Sequence, residues 1–335
     1  MNGRSLLIIS NLVTISVTAV AVLFALHNQH SIPGTSSIPF LGGKEQYGRD
    51  LMEDDCCDCT TGGPIDPPIN PPPPSFCFTA DSTVQVLQYE NSVKVVSMKD
   101  IQIGDSVRAS NGKYERVYSF GHYSPTVWGD DYVELSVGPN QKLTLSPDHM
   151  VWTTNKNGEG MFVAASQVQV GDDLLWNNEE AFTVQEIQQG VTAQGLLAPF
   201  TPSGTIVVDG FLASTFIDSV KDQNIPPFLG SSQWIAHSFE FPHRLACHYN
   251  VFGGAFCATE TYTEEGLSNW VAAPFELGQW VLKQNDMIRY GLLTLFGLLL
   301  ALGNVVEFAC LQYPIVAVGL LGGYYYNHRA AARKL

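Results

Sequence analysis

The stretch Ile101 to Ala109 (IQIGDSVRA) returns as Val168 to Trp176 (VQVGDDLLW), and this repeat constrains the fold more than any other feature of the chain. In each copy an apolar-polar-apolar strand pattern runs into Gly-Asp. Glycine supplies the backbone freedom for a reversal, and aspartate offers a side-chain acceptor that caps the turn. One Gly-Asp says little. Two in matching context, each followed by a turn and another strand, predict a duplicated β unit and a pseudo-symmetric fold. The surroundings agree: from Cys77 to about Ile217 the pattern is all-β. Thr83 to Leu87 alternates polar and apolar, and Asn111-Gly112 is a hairpin signal. Short β-branched or apolar runs recur at Val117, Val133, Leu143, Phe162, Phe182 and Ile206. No long amphipathic helix pattern intrudes.

The flanks differ in character. Leu6 to Leu26 is an apolar run whose only polar members are Ser, Thr and Asn11, long enough to cross a bilayer of about 30 Å. Residues 1–30 are expected to form a signal anchor, with a long signal peptide as the alternative; no small-x-small cleavage site follows, since VLFALHNQH offers only Ala25. Either reading puts the body of the chain in the secretory lumen or outside the cell with Arg4 cytosolic, and the anchor would hold it on the membrane. Residues 31–76 read as a Cys/Pro-rich linker ending in TGGPIDPPINPPPPS, an extended polyproline rod with no core of its own. Such a spacer holds the Phe76-Cys77 bond away from membrane and folded neighbours.

A second apolar stretch, Tyr290 to Tyr326, is interrupted by Gly303, Asn304, Glu307 and Pro314. As one helix it would span about 55 Å, too long for one upright crossing and slightly short for two. The basic end HRAAARKL favours a cytosolic C-terminus and one crossing, Arg289 argues against it, and a pair of buried or membrane-surface helices is the alternative. The expected division is therefore a β unit over 77–220, an aromatic-rich region over 221–287 and a hydrophobic membrane-associated tail over 288–335.

Seven cysteines fit an oxidising compartment. Cys247 and Cys257 flank a Gly-containing loop and are expected to form a disulfide. A metal site using His243 and His248 lacks a recognised ligand spacing, so no metal and no cofactor is expected. Cys56, Cys57 and Cys59 crowd into DDCCDC and receive no role; Cys310 lies in the apolar tail, where a free thiol acts as a small hydrophobe. A formal charge of -15 argues against a nucleic-acid partner.

Three segments carry chemistry in order: Cys77 opens SFCFTADSTVQVL, KLTLSPDHMVWT follows, and GTIVVDGFLASTF closes the β region. Together they resemble the Hint module of hedgehog-type autoprocessing proteins. The resemblance covers roughly Cys77 to His243 and implies an all-β Hint fold, a pseudo-two-fold horseshoe, here between N-terminal and C-terminal hydrophobic membrane segments. It also implies self-cleavage at Phe76-Cys77. The Cys77 thiol attacks the carbonyl just upstream and turns an amide into a thioester, a step for which tethering alone is worth about 7 to 11 kcal/mol when well aligned. His149 takes the family's histidine position, suited to moving a proton off a thiol and onto the departing nitrogen. Ser146 stands where the family has a threonine that positions the scissile amide; it keeps the hydroxyl and loses the methyl that fixes the rotamer.

A second nucleophile must then resolve the thioester. In animal hedgehog proteins it is a sterol hydroxyl, with an aspartate implicated in its activation; alignment puts His122 at that place. Neutral imidazole is a base, but sterol transfer does not carry over, and water or another alcohol is an equal expectation. Thr215 replaces a cysteine that often follows Leu-Ala-Ser, and Phe76 replaces the usual glycine. After the β region, Ala236-His237 followed by an aromatic matches the family's next segment, which contacts adduct and membrane. That makes Gln233 to Trp280 with the tail a candidate lipid-facing region, and a packed subdomain leading to an anchor the alternative. The chain carries no terminal Asn followed by a nucleophile, so splicing is not expected. A non-catalytic membrane-tethered display or binding domain is the reading from a different class, and a trans-acting cysteine peptidase is a third.

Overall fold

The computed structural model describes residues 77–154, 158–177, 180–218, 230–249, 257, 262–315 and 319. The N-terminal apolar run, the Cys/Pro-rich linker with Cys56, Cys57 and Cys59, Phe76 and the basic C-terminal end lie outside them. Thirteen strands and four α-helices follow one another among the described residues. The strands are β1 (Thr83–Leu87), β2 (Val93–Ser97), β3 (Ser106–Arg108), β4 (Tyr114–Arg116), β5 (Ser119–Gly138), β6 (Gln141–Leu145), β7 (His149–Thr154), β8 (Gly160–Ala164), β9 (Asp173–Trp176), β10 (Glu180–Thr183), β11 (Glu186–Phe200), β12 (Thr205–Val208) and β13 (Phe211–Ile217). The helices are α1 (Ser232–Phe239), α2 (Phe241–His248), α3 (Asn269–Leu282) and α4 (Asp286–Gln312).

The main sheet runs β10-β9-β7-β13-β12-β1-β3-β4, with β2 added to β1 and β8 to β7. Read from either end this order has the same sense: β1 to β4 and β7 to β10 are two copies of one unit, joined in the middle by the β12–β13 hairpin. The long strands that follow each copy, β5 and β11, pair antiparallel with each other, and β6 pairs with β5.

The repeat holds atom by atom. Gly104 N–H donates to the Val117 carbonyl and Gly171 N–H to the Val184 carbonyl, at 2.8 and 2.9 Å. Val117 and Val184 N–H return to the carbonyls of Asp105 and Asp172, each at 2.8 Å. The carboxylates of Asp105 and Asp172 accept from Gln102 and Gln169 N–H at 2.9 and 2.8 Å. Gly104 and Gly171 have φ of 106° and 98°, a backbone region that side-chain-bearing residues avoid.

The main buried cluster draws on strands of both sheets. β1 alternates, burying Val84 and Val86, as expected for a strand with one face on the core. β12 is buried throughout and after Thr205 reads as an unbroken apolar run, IVV, because it is central and covered on both faces. Phe78, Met98, Ile101, Leu135, Leu143, Leu174 and Phe211 are fully or almost fully buried around it, each contributing about 1.5–3 kcal/mol of apolar burial. Val117, expected within a strand, instead links β4 to β5. Helices α1 and α2 pack on the β unit through Phe216, Phe200, Tyr118 and Met150, and His237 Nε2 donates to the Pro202 carbonyl at 2.9 Å.

Candidate active site

Cys77, fully buried, is the first described residue. Ser146 clamps its backbone twice: Cys77 N–H donates to Ser146 Oγ at 2.9 Å, and Ser146 N–H donates to the Cys77 carbonyl at 3.0 Å. The nitrogen held in this way is the one that joins Cys77 to Phe76.

The duplication explains why these residues meet. Ser82 N–H closes a turn on the Thr79 carbonyl, and His149 N–H closes the same turn on the Ser146 carbonyl, at 3.3 and 3.0 Å. Thr79 to Ser146, Ser82 to His149 and Gly104 to Gly171 are separated by one constant offset, so Ser-Pro-Asp-His is the second copy of Thr-Ala-Asp-Ser. The copies abut through the pair Phe78 and Leu145. Cys77 precedes the first turn, and Ser146 and His149 belong to the second.

His149 is fully buried, and its Nε2 lies 2.8 Å from the Ser214 carbonyl. A carbonyl only accepts, so Nε2 carries the proton and Nδ1 presents the lone pair. The ring sits 4.1 Å from that of Phe78, next in chain to Cys77. Ser214 is fixed in turn: its hydroxyl donates to Gln233 Oε1 on α1 and accepts from Phe216 N–H, while Gln233 Nε2 donates to the Gly204 carbonyl at 3.0 Å. Ser214 is the serine of Leu-Ala-Ser, and its neighbour Thr215 is fully buried with no hydrogen-bond partner for its hydroxyl among the described residues. The Asp209-Gly210 turn, with φ of 50° and 88°, joins β12 to β13, and the Asp209 carboxylate accepts from Thr83 N–H and Oγ1 at 2.7 and 2.9 Å.

Tyr132 packs with Cys77, Leu196 and Ala198. Its hydroxyl donates to the Gly195 carbonyl, and burial, with a smaller contribution from charge on Cys77, pushes the phenol well above its usual range. His122 lies directly opposite Ala198 in the β5–β11 ladder, which puts both side chains on one face of the sheet, the face that carries Cys77's neighbours. His122 is 2% exposed, and its Nε2 donates to the Glu265 carbonyl at 2.6 Å. Its Nδ1 has no hydrogen-bond partner among the described residues. Burial holds this imidazole below its ordinary value, opposed by the Glu265 carbonyl and charge, so the neutral form dominates at neutral pH.

The structure thus brings Cys77, Ser146 and His149 together and sets His122 on the same face. Cys247, on α2, is joined to Cys257 by a disulfide with Cα atoms 5.7 Å apart. Tyr132 and Glu265 are not singled out by the sequence, and Ser214 and Gln233 are read only within Leu-Ala-Ser and the candidate lipid-facing region. For Ser146 and His149 an extra signal was available, since Thr79-x-Asp-Ser and Ser146-x-Asp-His share their offset with the Gly-Asp repeat.

A family model described as the Hint module matches residues 74–283. The chain is 30% identical over 233 residues to the Tiggy-winkle hedgehog protein of Danio rerio, an alignment covering 65% of this chain and 52% of that protein. It is 30% identical over 163 residues to protein qua-1 of Caenorhabditis elegans, covering 42% of this chain and 13% of that one. The chain spans about half the length of the first of these relatives. Among solved structures, the gp41-1 intein superposes with a TM-score of 0.33 and 15% identity, over 42% of this chain and 98% of that chain.

Proposed function

Since the chain belongs to the Hint module family, whose members process themselves, we propose that it cuts its own backbone between Phe76 and Cys77. Cys77 Sγ attacks the Phe76 carbonyl carbon and gives up its proton. The C–S bond forms, the C–N bond breaks, and the departing Cys77 nitrogen takes a proton to become a free amine. His149 moves these protons through Nδ1, the atom left with a lone pair once Ser214 holds Nε2. Ser146 keeps the scissile nitrogen in register. The single observation that carries the reading is the Cys77 N–H to Ser146 Oγ hydrogen bond, because it places a side-chain hydroxyl on the leaving nitrogen itself.

Water or an alcohol, a sterol among the candidates, then attacks the thioester with His122 as base. The product is a Phe76 acid or ester and a free Cys77 thiol. The chain acts once, in cis, without metal or cofactor. Membrane lipid is the partner that the exposed apolar face of α4 supports, with Leu298, Val305 and Phe308 at 65%, 63% and 64% exposure. The β unit then sits on the lumenal or extracellular side.

The test is the full-length chain tagged at both ends, compared with its Cys77→Ala variant by immunoblot and intact mass. The native chain is expected to yield a fragment ending at Phe76, faster with hydroxylamine, while the variant stays whole. Equal cleavage of both overturns the mechanism, and an intact native chain, even with added thiol, leaves a Hint fold kept for display or binding.

A further inference from the structure

Between α2 and α3 the chain returns to the β unit as a short strap, Tyr262 to Ser268, seated on the edge of β5 at His122. Tyr123 N–H donates to the Gly266 carbonyl and Ser268 N–H to the Gly121 carbonyl, both at 2.9 Å, so the strap pairs with β5 on either side of the histidine. Leu267 bridges His122 directly, and the Tyr262 and Tyr123 rings lie 5.9 Å apart. The strap is itself a tight turn: Gly266 N–H donates to the Thr263 carbonyl at 2.9 Å and Thr263 N–H to the Leu267 carbonyl at 2.8 Å. That geometry requires a φ of 87° at Gly266, where a β-carbon would collide with Ser124 Oγ.

We propose that this strap positions the second half of the reaction: the Glu265 carbonyl holds His122 as its Nε2–H tautomer and leaves Nδ1, buried and unpartnered among the described residues, as the base for the nucleophile that resolves the thioester. The inference rests on the self-cleavage reading above. In this step an alcohol or water O–H gives its proton to Nδ1 as the new C–O bond forms at the Phe76 carbonyl. The C–S bond breaks, and the Cys77 thiolate recovers the proton. Without the strap the ring is free to rotate and either nitrogen can hold the proton, so a fixed base is lost. Glu265 acts only through its main chain and Gly266 only through its backbone; both are positioning residues. The first step uses Cys77, Ser146 and His149 and makes no demand on the strap. A region outside the strands thereby controls resolution while leaving thioester formation alone.

The experiment separates the two steps in the full-length chain. Dithiothreitol attacks a thioester directly and reports its formation, whereas cleavage without added thiol needs resolution by the protein. Gly266→Val is expected to keep thiol-induced cleavage within about twofold of native and to slow thiol-free cleavage by tenfold or more, with loss of the inflection that an imidazole gives to its pH profile. His122→Gln, which retains an N–H for the Glu265 carbonyl but has no base, should show the same split with the strap in place. Unchanged thiol-free rate and pH profile in Gly266→Val overturn the proposal, and so does an equal fall in both kinds of cleavage, which marks the strap as merely structural. If the native chain does not respond to thiol at all, it is the underlying self-cleavage reading that fails.

Discussion

Both histidines of the candidate site are fixed by one device. His149 and His122 each donate Nε2–H to a main-chain carbonyl, of Ser214 and Glu265, and each is buried. A main-chain carbonyl cannot accept from an unprotonated nitrogen, so the tautomer is set by backbone atoms that no side-chain substitution removes. Burial also has a consequence for stability. His122 and His237 are both held below the ordinary imidazole value, first of all by desolvation, with Arg244 adding to it at His237. The unfolded chain takes up protons at these sites near pH 6.5, while the folded chain resists until lower pH. Below that pH the unfolded state binds more protons, so stability is whole above about pH 6.5 and drains away as the pH falls towards the folded values. Denaturant midpoints of the Cys77→Ala chain should hold steady from about pH 8 to 7 and fall below about 6.5. His122→Gln should remove part of that fall; a midpoint that rises on acidification contradicts the assignment.

The duplicated unit makes a sharper demand on its elements. Gly104 and Gly171 hold φ within 8° of each other, at 106° and 98°, donate to equivalent carbonyls and precede equivalent aspartates. A β-carbon on Gly171 meets nothing within 4 Å, and on Gly104 it meets only the Arg116 side chain at ordinary contact distance. Backbone strain is then the main cost at both sites, so Gly104→Ala and Gly171→Ala should each destabilise by about 1–3 kcal/mol and by closely similar amounts in denaturant melts. A large inequality would mean that the copies no longer share one turn. These local features were legible in the sequence because their causes are local: Thr83–Leu87 is a strand with the expected bounds, and Asn111-Gly112 turns with φ of 56° and 65°. The long strands were not. β5 contains Gly121, Pro125 and Gly129, residue types that disfavour a continuous strand, yet the ladder to β11 runs through them by shifting register at four places. The site divides in the same way. Cys77, Ser146 and His149 sit in or beside short turns with recognisable sequence, whereas His122 depends on Glu265, 143 residues away, a pairing that only the folded strap creates.

Across the whole molecule, the apolar helix α4 is an integral part of the packing. Gly303, Asn304 and Glu307 looked like interruptions in a hydrophobic run; in the fold α4 passes through them unbroken from Asp286 to Gln312, and they form its docking face. Gly303 packs against Phe241, Asn304 Nδ2 donates to Ser238 Oγ at 2.7 Å, and the Arg244 guanidinium grips Glu307 with two bonds of 2.7 Å. Arg244 donates a third to the His237 carbonyl at 3.0 Å. The opposite face is apolar and exposed, so one helix separates a polar clamp on α1 and α2 from a surface of Leu295, Leu298, Val305 and Phe308. A buried pair of this kind is expensive to break on one side only, because the survivor stays charged and desolvated. Glu307→Leu in the full-length Cys77→Ala chain, kept in mild detergent, should therefore lose about 3–5 kcal/mol and loosen α4, seen as early protease cleavage between α3 and α4 on heating. Arg244→Met combined with Glu307→Leu fills the same space without a stranded charge and should recover most of the loss. A double variant no more stable than Glu307→Leu alone would show that the pair supplies something that apolar packing cannot, such as the register of α4 on α1 and α2.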